Sequence, residues 1–200
     1  MARAVLSHVW GAALVAGLAL GACSPQEGSA PQSATAGVND TGCATTTVTG
    51  TIALSSEAAA DTVEARAFGP SCAQAAVLLT IRDPEGRLLL TFAAPYKQMV
   101  FAETPDAPVD AQAVQAFLVS WADVSVGTTG GNVEWPQGQD SLNAPDGPTL
   151  YGTDLARDFY MQLRSENLRQ VCVATAFEGA GCYAYLPEAR SVLELLRMGL

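Results

Sequence analysis

Four of the five cysteines constrain the fold of this chain more strongly than any other feature. None of them stands in a CxxC pair, which is the spacing typical of thioredoxin-like redox sites and of structural zinc sites. In an exported protein, an even number of cysteines implies disulfides, and these four would form two. Whether they are oxidised therefore depends on the compartment of the protein. The four cysteines are Cys43, Cys72, Cys172 and Cys182.

The first residues have the features of an export signal. Arg3 is their only charge, and residues 9–22 form an uncharged apolar run. Such a run has the length of a signal-peptide hydrophobic region and is too short for a stable transmembrane helix. The alternative is a buried apolar helix, but the position of the run and the small residues at its end favour a signal. We therefore expect residues 1–22 to direct export and to be removed.

The run ends in Leu20-Gly21-Ala22-Cys23, which resembles the lipobox of bacterial lipoproteins. The resemblance implies cleavage before Cys23, lipidation of its thiol and a triacylated N-terminus that anchors the protein to a lipid bilayer. In Gram-negative members of the class, a residue other than Asp after the cysteine, here Ser24, implies transfer to the outer membrane. The expected location is the cell envelope, facing the periplasm.

The segment after the lipobox differs in composition from the rest of the chain. Residues 24–41 are mostly Ser, Pro, Gly, Ala, Gln and Thr without hydrophobic periodicity, so residues 23–41 are predicted to be a flexible tether. Residues 42–200 have the right length for one globular domain with its own core. No specific family is recognised in that segment.

Alternating and apolar segments predict a β-rich domain. The strongest local signal is Asp83-Pro84-Glu85-Gly86, where Pro84 presets φ and Gly86 can adopt the left-handed conformation of a hairpin turn. Both arms of this hairpin are apolar on both faces, which predicts a central position in the sheet. Residues 191–198 suit either a short helix or a strand, and a strand is favoured. The predicted strands are 47–54, 62–68, 76–82, 87–93, 170–177, 182–186 and 191–198.

The first of two predicted helices follows Asp110, whose side chain can cap it. Its apolar stripe is Val114, Phe117, Leu118 and Trp121, at i, i+3, i+4 and i+7, which makes Trp121 a core residue.

The second predicted helix begins near Thr153 or Asp154 and ends around Asn167, with Leu155, Phe159 and Leu163 on its apolar stripe. The predicted fold class is therefore α+β, a mostly antiparallel sheet with two helices packed on it and two disulfides.

The disulfide pairing depends on the C-terminal hairpin. Short loops favour Cys43–Cys72 and Cys172–Cys182. A regular hairpin turning at Glu178–Gly181 would instead place Cys172 roughly 17 Å from Cys182, beyond the Cα separation of about 7 Å that a disulfide permits. We favour the regular hairpin, which predicts that both C-terminal cysteines bond to Cys43 and Cys72.

The charge balance restricts the partners. The chain has 10 basic and 20 acidic residues; removal of residues 1–22 takes away only Arg3, which leaves a net charge of −11. Nucleic acid and anionic lipid headgroups are therefore excluded as expected partners. The segment between Lys97 and Arg157 contains no base but eight acids, which form either a solvated face or a surface for a cationic partner: Glu103, Asp106, Asp110, Asp123, Glu134, Asp140, Asp146 and Asp154.

Residues 124–152 form a long segment rich in Gly, Asn, Asp, Gln and Pro, of the kind that is functional or disordered. Glu134 and Trp135 could form a contact patch in it, together with Asp140 and Asp146, since tryptophan is enriched at binding hot spots. Equally, Trp135 could pack under its own loop.

Several chemistries are excluded by residue type. The only histidine is His8, inside the predicted signal, so imidazole bases and His-ligated metals have no source in the mature chain. Lys97 is the only lysine, and Ala94 stands where an SxxK box needs serine. P-loop and dinucleotide glycine patterns are missing from the sequence. No catalytic residue and no cofactor is predicted.

Two chemistries need only oxygen atoms. Asp140, Asn143 and Asp146 lie close together, but their spacing of three differs from the alternate spacing of an EF-hand loop, so no metal site is predicted. A carboxylate-based glycan hydrolase needs two acids at a set separation, for which the sequence has no signature. The expected function is a non-catalytic binding module with an acidic surface that contacts a cationic envelope protein, and the glycan hydrolase is the alternative.

Overall fold

Alternation of apolar and polar residues gives the first sheet its buried face. In the computed structural model, which describes residues 42–100, 109–142 and 150–199, four strands pair antiparallel in the order β1-β2-β3-β4. The alternation predicted for the first strand is confirmed, since Val48, Gly50 and Ile52 are more buried than the threonines between them. The strands are β1 Val48–Ile52, β2 Asp61–Phe68, β3 Ala76–Arg82 and β4 Leu88–Pro95.

The turn between β3 and β4 forms as the sequence predicts. The amide of Gly86 donates to the carbonyl of Asp83 at 2.8 Å, and Gly86 has a φ of 81°. The hairpin is not central. Of its two strands, β3 is an inner strand of the sheet, but β4 lies at the edge. Apolar residues on both faces of β4 therefore do not indicate burial on both sides; Leu88 is 45% exposed.

The second sheet has five antiparallel strands in the order β5-β7-β8-β9-β6. The strand predicted for residues 191–198 is confirmed, because residues 191–199 form the last strand along the chain. The strands are β5 Val126–Thr128, β6 Leu150–Gly152, β7 Arg169–Ala176, β8 Gly179–Leu186 and β9 Ser191–Gly199.

Three helices and two 3-10 turns complete the elements of the described segments. The predicted Asp110 cap is confirmed, because its carboxylate accepts the amide of Ala113 at 2.7 Å. Trp121 is 5% exposed and is a core residue, as predicted. The helices are α1 Tyr96–Met99, α2 Ala111–Ala122 and α3 Arg157–Ser165, and the 3-10 turns are Cys72–Gln74 and Thr129–Gly131.

The second predicted helix, α3, differs in two respects from its prediction. It begins at Arg157, later than Thr153 or Asp154, and the residue that it buries fully is Tyr160, whereas Phe159 is 42% exposed. Its end agrees with the prediction, since Asn167 has a left-handed φ of 53° just after the last turn.

Two hydrophobic clusters cover both faces of the second sheet. The first cluster joins the first sheet and α2 to Val171 and Val173 of β7, and the second joins α3 to Cys182 and Ala184 of β8. The predicted α+β class, antiparallel strands and two disulfides are confirmed. The division of the strands between two sheets explains how α2 and α3 each find a separate apolar surface.

The disulfides join Cys43 to Cys72 and Cys172 to Cys182, so the favoured cross-pairing of the cysteines is wrong. The prediction fails because β7 and β8 turn at residues 177–178, not at Glu178–Gly181. This register places Cys172 directly opposite Cys182, with Cα atoms 4.0 Å apart. A regular hairpin and a local disulfide are therefore compatible.

Two parts of the long polar segment are described, residues 150–152, which form β6, and residues 124–142, which are tied to α3 and β7. The hydroxyl of Thr129 donates to the carbonyl of Leu163 at 2.7 Å and accepts the amide of Leu168 at 2.9 Å. The side-chain amides of Asn132 and Gln170 donate to each other's oxygens at 2.8 and 2.7 Å. This part of the segment is thus ordered by buried polar contacts.

Within the described ranges, none of the helices has the length and apolar character needed to cross a membrane.

Candidate binding groove

A groove of about 580 Å³ lies between α3 and the turn that connects β8 to β9. Its volume is within the range of about 300–1,000 Å³ that small ligands and side chains occupy in protein pockets. Two other cavities, of about 250 and 190 Å³, share Asp123 and fall below that range. The groove is lined by Phe159, Gln162, Leu163, Glu166, Leu168, Leu186, Pro187, Glu188 and Ala189.

One wall of the groove is a single face of α3. Phe159, Gln162, Leu163 and Glu166 follow the spacing i, i+3, i+4 and i+7, which places them on one side of a helix. Leu163 is 3% exposed and forms part of the floor, whereas Phe159 is 42% exposed. An aromatic ring half open to solvent beside a buried leucine gives this wall an apolar surface that the described residues do not cover.

The opposite wall is the β8–β9 turn, residues 187–190. The amide of Arg190 donates to the carbonyl of Pro187 at 3.3 Å. The guanidinium of Arg190 pairs with Glu85 in the β3–β4 turn, 3.4 Å away. This exposed ion pair links the β8–β9 turn to the first sheet, and Glu188 and Ala189 are exposed at the rim of the groove.

The groove is acidic as well as apolar. The carboxylate of Glu166 accepts a hydrogen bond from the Gln162 amide at 2.8 Å. Neither Glu166 nor Glu188 forms an ion pair with any arginine or lysine of the described segments. None of the described residues that line the groove is cationic, so a bound ligand meets two carboxylates around a mainly aliphatic floor.

The residues predicted to form a contact patch lie elsewhere. Glu134 pairs with Arg164 at 3.1 Å, and Trp135 is half-buried, with its indole nitrogen donating to the carbonyl of Gln139 at 2.9 Å. The ring of Trp135 also packs edge-on against Tyr160, with centroids 5.9 Å apart. Trp135 thus packs under its own loop, the alternative that the sequence left open.

The other predicted site residues are only partly described. Asp140 is exposed, whereas Asp146 and the predicted lipidation residue Cys23 lie outside the described residues. No cluster of three His, Cys, Asp or Glu side chains suited to a metal ion occurs among the residues that the structure describes.

The acidic stretch predicted to lack counter-ions acquires some through tertiary contacts. Arg164 pairs with Glu134 and Arg197 with Asp154, and the carboxylate of Asp110 caps α2. Glu103 and Asp106 lie outside the described residues. The two acids at the groove, Glu166 and Glu188, have no basic partner among the described residues. They come from other parts of the chain than this acidic stretch.

The apolar stripe of the second predicted helix does not reveal the groove, because it places Phe159 in the core. The available signal was the pairing of Phe159 with polar Gln162 and Glu166 on one helical face.

Comparison with known proteins finds no matching family model, no matching curated protein and no matching solved structure.

Proposed function

We propose that this protein is a non-catalytic binding module of the bacterial cell envelope, and that the groove between α3 and the β8–β9 turn is its binding surface. The proposal combines two elements. The lipobox-like residues that end at Cys23 support a location in the cell envelope, and the described domain contains the groove.

The observation that carries the proposal is the uncovered apolar surface around Phe159. A single exposed phenylalanine is common on protein surfaces, but one that lines a groove with a buried leucine floor and charged groups at its rim is typical of a recognition site. Aromatic anchors of this kind contribute much of the binding energy at interfaces because they bury a large area with few rotatable bonds.

A second candidate function, glycan hydrolysis, is supported by the presence of two carboxylates in one groove. A glycosidase keeps one carboxyl protonated by desolvating it. Glu166 and Glu188 are both exposed, so the groove lacks the buried carboxyl that this mechanism needs. Binding therefore accounts better for the arrangement than hydrolysis does.

Photo-crosslinking of the full chain in bacterial cells tests the binding surface. p-Benzoylphenylalanine replaces Phe159 in one variant and Phe68 in a matched control, because Phe68 is a phenylalanine of similar exposure, 52%, on the first sheet. We expect a discrete adduct, identified by mass spectrometry, at position 159 and none at position 68. No adduct at position 159, or equal adducts at both positions, would contradict the proposal.

The hydrolase alternative has its own test. Purified cell-wall glycan is incubated with the full chain, and the release of reducing ends is measured. Release by the wild type that is lost in both Glu166→Gln and Glu188→Gln would place the protein in the enzyme class.

The predicted lipid anchor is tested separately by intact-mass spectrometry of the mature protein. We expect a triacylated Cys23 in the wild type and an unprocessed precursor in Cys23→Ser. An unmodified Cys23 in the mature wild-type protein would contradict the lipid anchor without bearing on the groove.

A further inference from the structure

We infer that the groove takes a basic amphipathic segment of a partner protein, an inference that rests on the proposed binding function. In this arrangement the apolar side chains of the segment pack on Phe159 and the leucine floor, and its lysines or arginines meet Glu166 and Glu188. Three features of the structure support this partner in preference to others.

The first feature is the position of Glu166 at the C-terminal end of α3. The C-terminal end of a helix carries a partial negative charge from its aligned peptide dipoles, so a carboxylate there is electrostatically unfavourable. Arg164, the basic residue of the last turn, is directed to Glu134 and to the carbonyl of Asn132. Glu166 and the helix end therefore form one negative region, which a cation from a partner would neutralise.

The second feature is the length of the α3 wall. Phe159 and Glu166 are seven residues apart, which corresponds to about 10 Å along a helix. Two turns of a partner helix cover the same distance, so one face of such a helix can present an apolar residue to Phe159 and a basic residue to Glu166. A single small cation would leave the aromatic end of the wall uncovered.

The third feature is that this chain has no matching segment of its own. The tether residues 24–41 contain Glu27 and Asp40 but no base, and residues 101–108 and 143–149 likewise contain acids and no base. A second copy of the chain would bring another acidic surface, with a formal net charge of −10 for each copy. Charge complementarity thus points to a different, basic protein.

A binding measurement with synthetic peptides tests the inference. The full chain in phosphatidylcholine nanodiscs is titrated with three peptides of equal length, and empty nanodiscs provide the reference. One peptide carries Leu and Lys at amphipathic helical spacing, the second replaces Lys by Glu, and the third replaces Leu by Ser. We expect the Leu/Lys peptide to bind most tightly, and its affinity to fall as salt is added.

Variants of the protein assign the binding to the groove. We expect Glu166→Gln combined with Glu188→Gln to weaken the Leu/Lys peptide about tenfold, the effect of losing two exposed ion pairs. Glu57→Gln combined with Glu178→Gln changes the net charge equally at exposed positions outside the groove, and we expect a loss below about twofold. The two variants have the same lipid environment, so their difference cancels any partition of the peptide into the bilayer.

The outcomes separate the inference from the proposed function. Equal binding of the Leu/Lys and Leu/Glu peptides, weakened alike by Phe159→Ala, would overturn the inference and leave a groove that recognises apolar surface alone, as an acyl-chain site does. Equal losses in the two double variants, or equal binding of the Lys/Ser peptide, would overturn it in favour of non-specific attraction to an acidic protein. No peptide binding, together with no crosslink at position 159, would overturn both proposals.

Discussion

The two sides of α3 carry acidic residues in opposite situations. On the side of residues 129–142, the guanidinium of Arg164 pairs with Glu134, and the hydroxyl of Tyr160 donates to the carbonyl of Val133 at 2.8 Å. On the groove side, Glu166 stands at the C-terminal end of the helix with an amide as its only hydrogen-bonding side-chain partner among the described residues. The glutamate on the first side is paired with a base, whereas the glutamate on the groove side has no basic partner among the described residues.

This difference shows why acidic residues counted along a sequence do not locate a binding surface. The chain has 10 basic residues for 20 acidic ones, so the position of each arginine in three dimensions decides which acids stay unpaired. Residues 129–142 are acidic in the sequence but serve as structure, whereas the groove becomes acidic only when α3 and the β8–β9 turn come together. The predictions below test that contrast through the free energy of unfolding.

The largest effect is expected at Thr129, which is fully buried. Thr129→Val keeps the shape of the side chain but leaves the carbonyl of Leu163 and the amide of Leu168 without their partner. Because each buried polar group left unpaired costs about 1–3 kcal/mol, we expect the two groups together to lower the free energy of unfolding by about 2–6 kcal/mol. Denaturant titration measures it, with Thr91→Val at an exposed position of β4 as the control; equal midpoints for the two variants would show that Thr129 does not hold the loop.

A smaller and pH-dependent effect is expected at Tyr160. Burial raises the pKa of Tyr160 above its ordinary value of 10.0, against the lowering influence of Arg164 and with a further rise from Tyr151. The unfolded chain therefore releases this proton at a lower pH than the folded one. The stabilisation is complete below a pH of about 10 and is lost as the pH rises through the raised pKa of the folded state.

Tyr160→Phe tests this assignment. Removal of the hydroxyl leaves the carbonyl of Val133 without its donor, and we expect a loss of about 1 kcal/mol at neutral pH. We also expect the decline in stability above about pH 10 to be shallower in the variant, because one ionisation linked to unfolding is gone. Identical alkaline slopes for the two proteins, measured by denaturant titration at each pH, would contradict this role of Tyr160.

A still smaller loss is expected from Glu134→Gln. The pair with Arg164 is close, but the Glu134 side chain is 73% exposed, and exposed ion pairs contribute about 0.2–1 kcal/mol. We expect a loss of stability within that range that shrinks as salt is added, and unchanged affinity for the Leu/Lys peptide. A marked loss of peptide affinity would indicate that the binding surface includes the loop around Glu134 and Trp135, as the sequence suggested.

The parts of the fold that the sequence predicts correctly depend on local information. The Asp83–Gly86 turn, the alternation in β1 and the helix capped by Asp110 each follow from residues within one turn or strand. Their conformations are set by φ restrictions, side-chain alternation and a neighbouring amide, and need no knowledge of distant residues.

The parts that it predicts wrongly depend on contacts between side chains. Gly181 resembles a turn glycine but lies inside β8, where the ring of Tyr183 covers it so closely that a Cβ would come within 2.9 Å of the tyrosine oxygen. In the observed register, Gly181 pairs with Val173 of β7, and this register places Cys172 opposite Cys182. Phe159 is likewise exposed because Tyr160 takes the buried position, so neither the groove nor its acids could be derived from periodicity alone.

The smallest change in stability is expected at Glu166, and it has the opposite sign to that at Glu134. Glu166→Gln removes a negative charge from the C-terminal end of α3, where the helix dipole disfavours it. We expect a gain of a few tenths of a kcal/mol, together with weaker binding of the Leu/Lys peptide. A residue that weakens the fold and strengthens binding is characteristic of a functional site, because binding is the only benefit that offsets its cost. Denaturant titration of Glu134→Gln and Glu166→Gln under identical conditions compares the two directly; a loss of stability in both would show that Glu166 supports the helix and that the two sides of α3 do not differ in the way proposed.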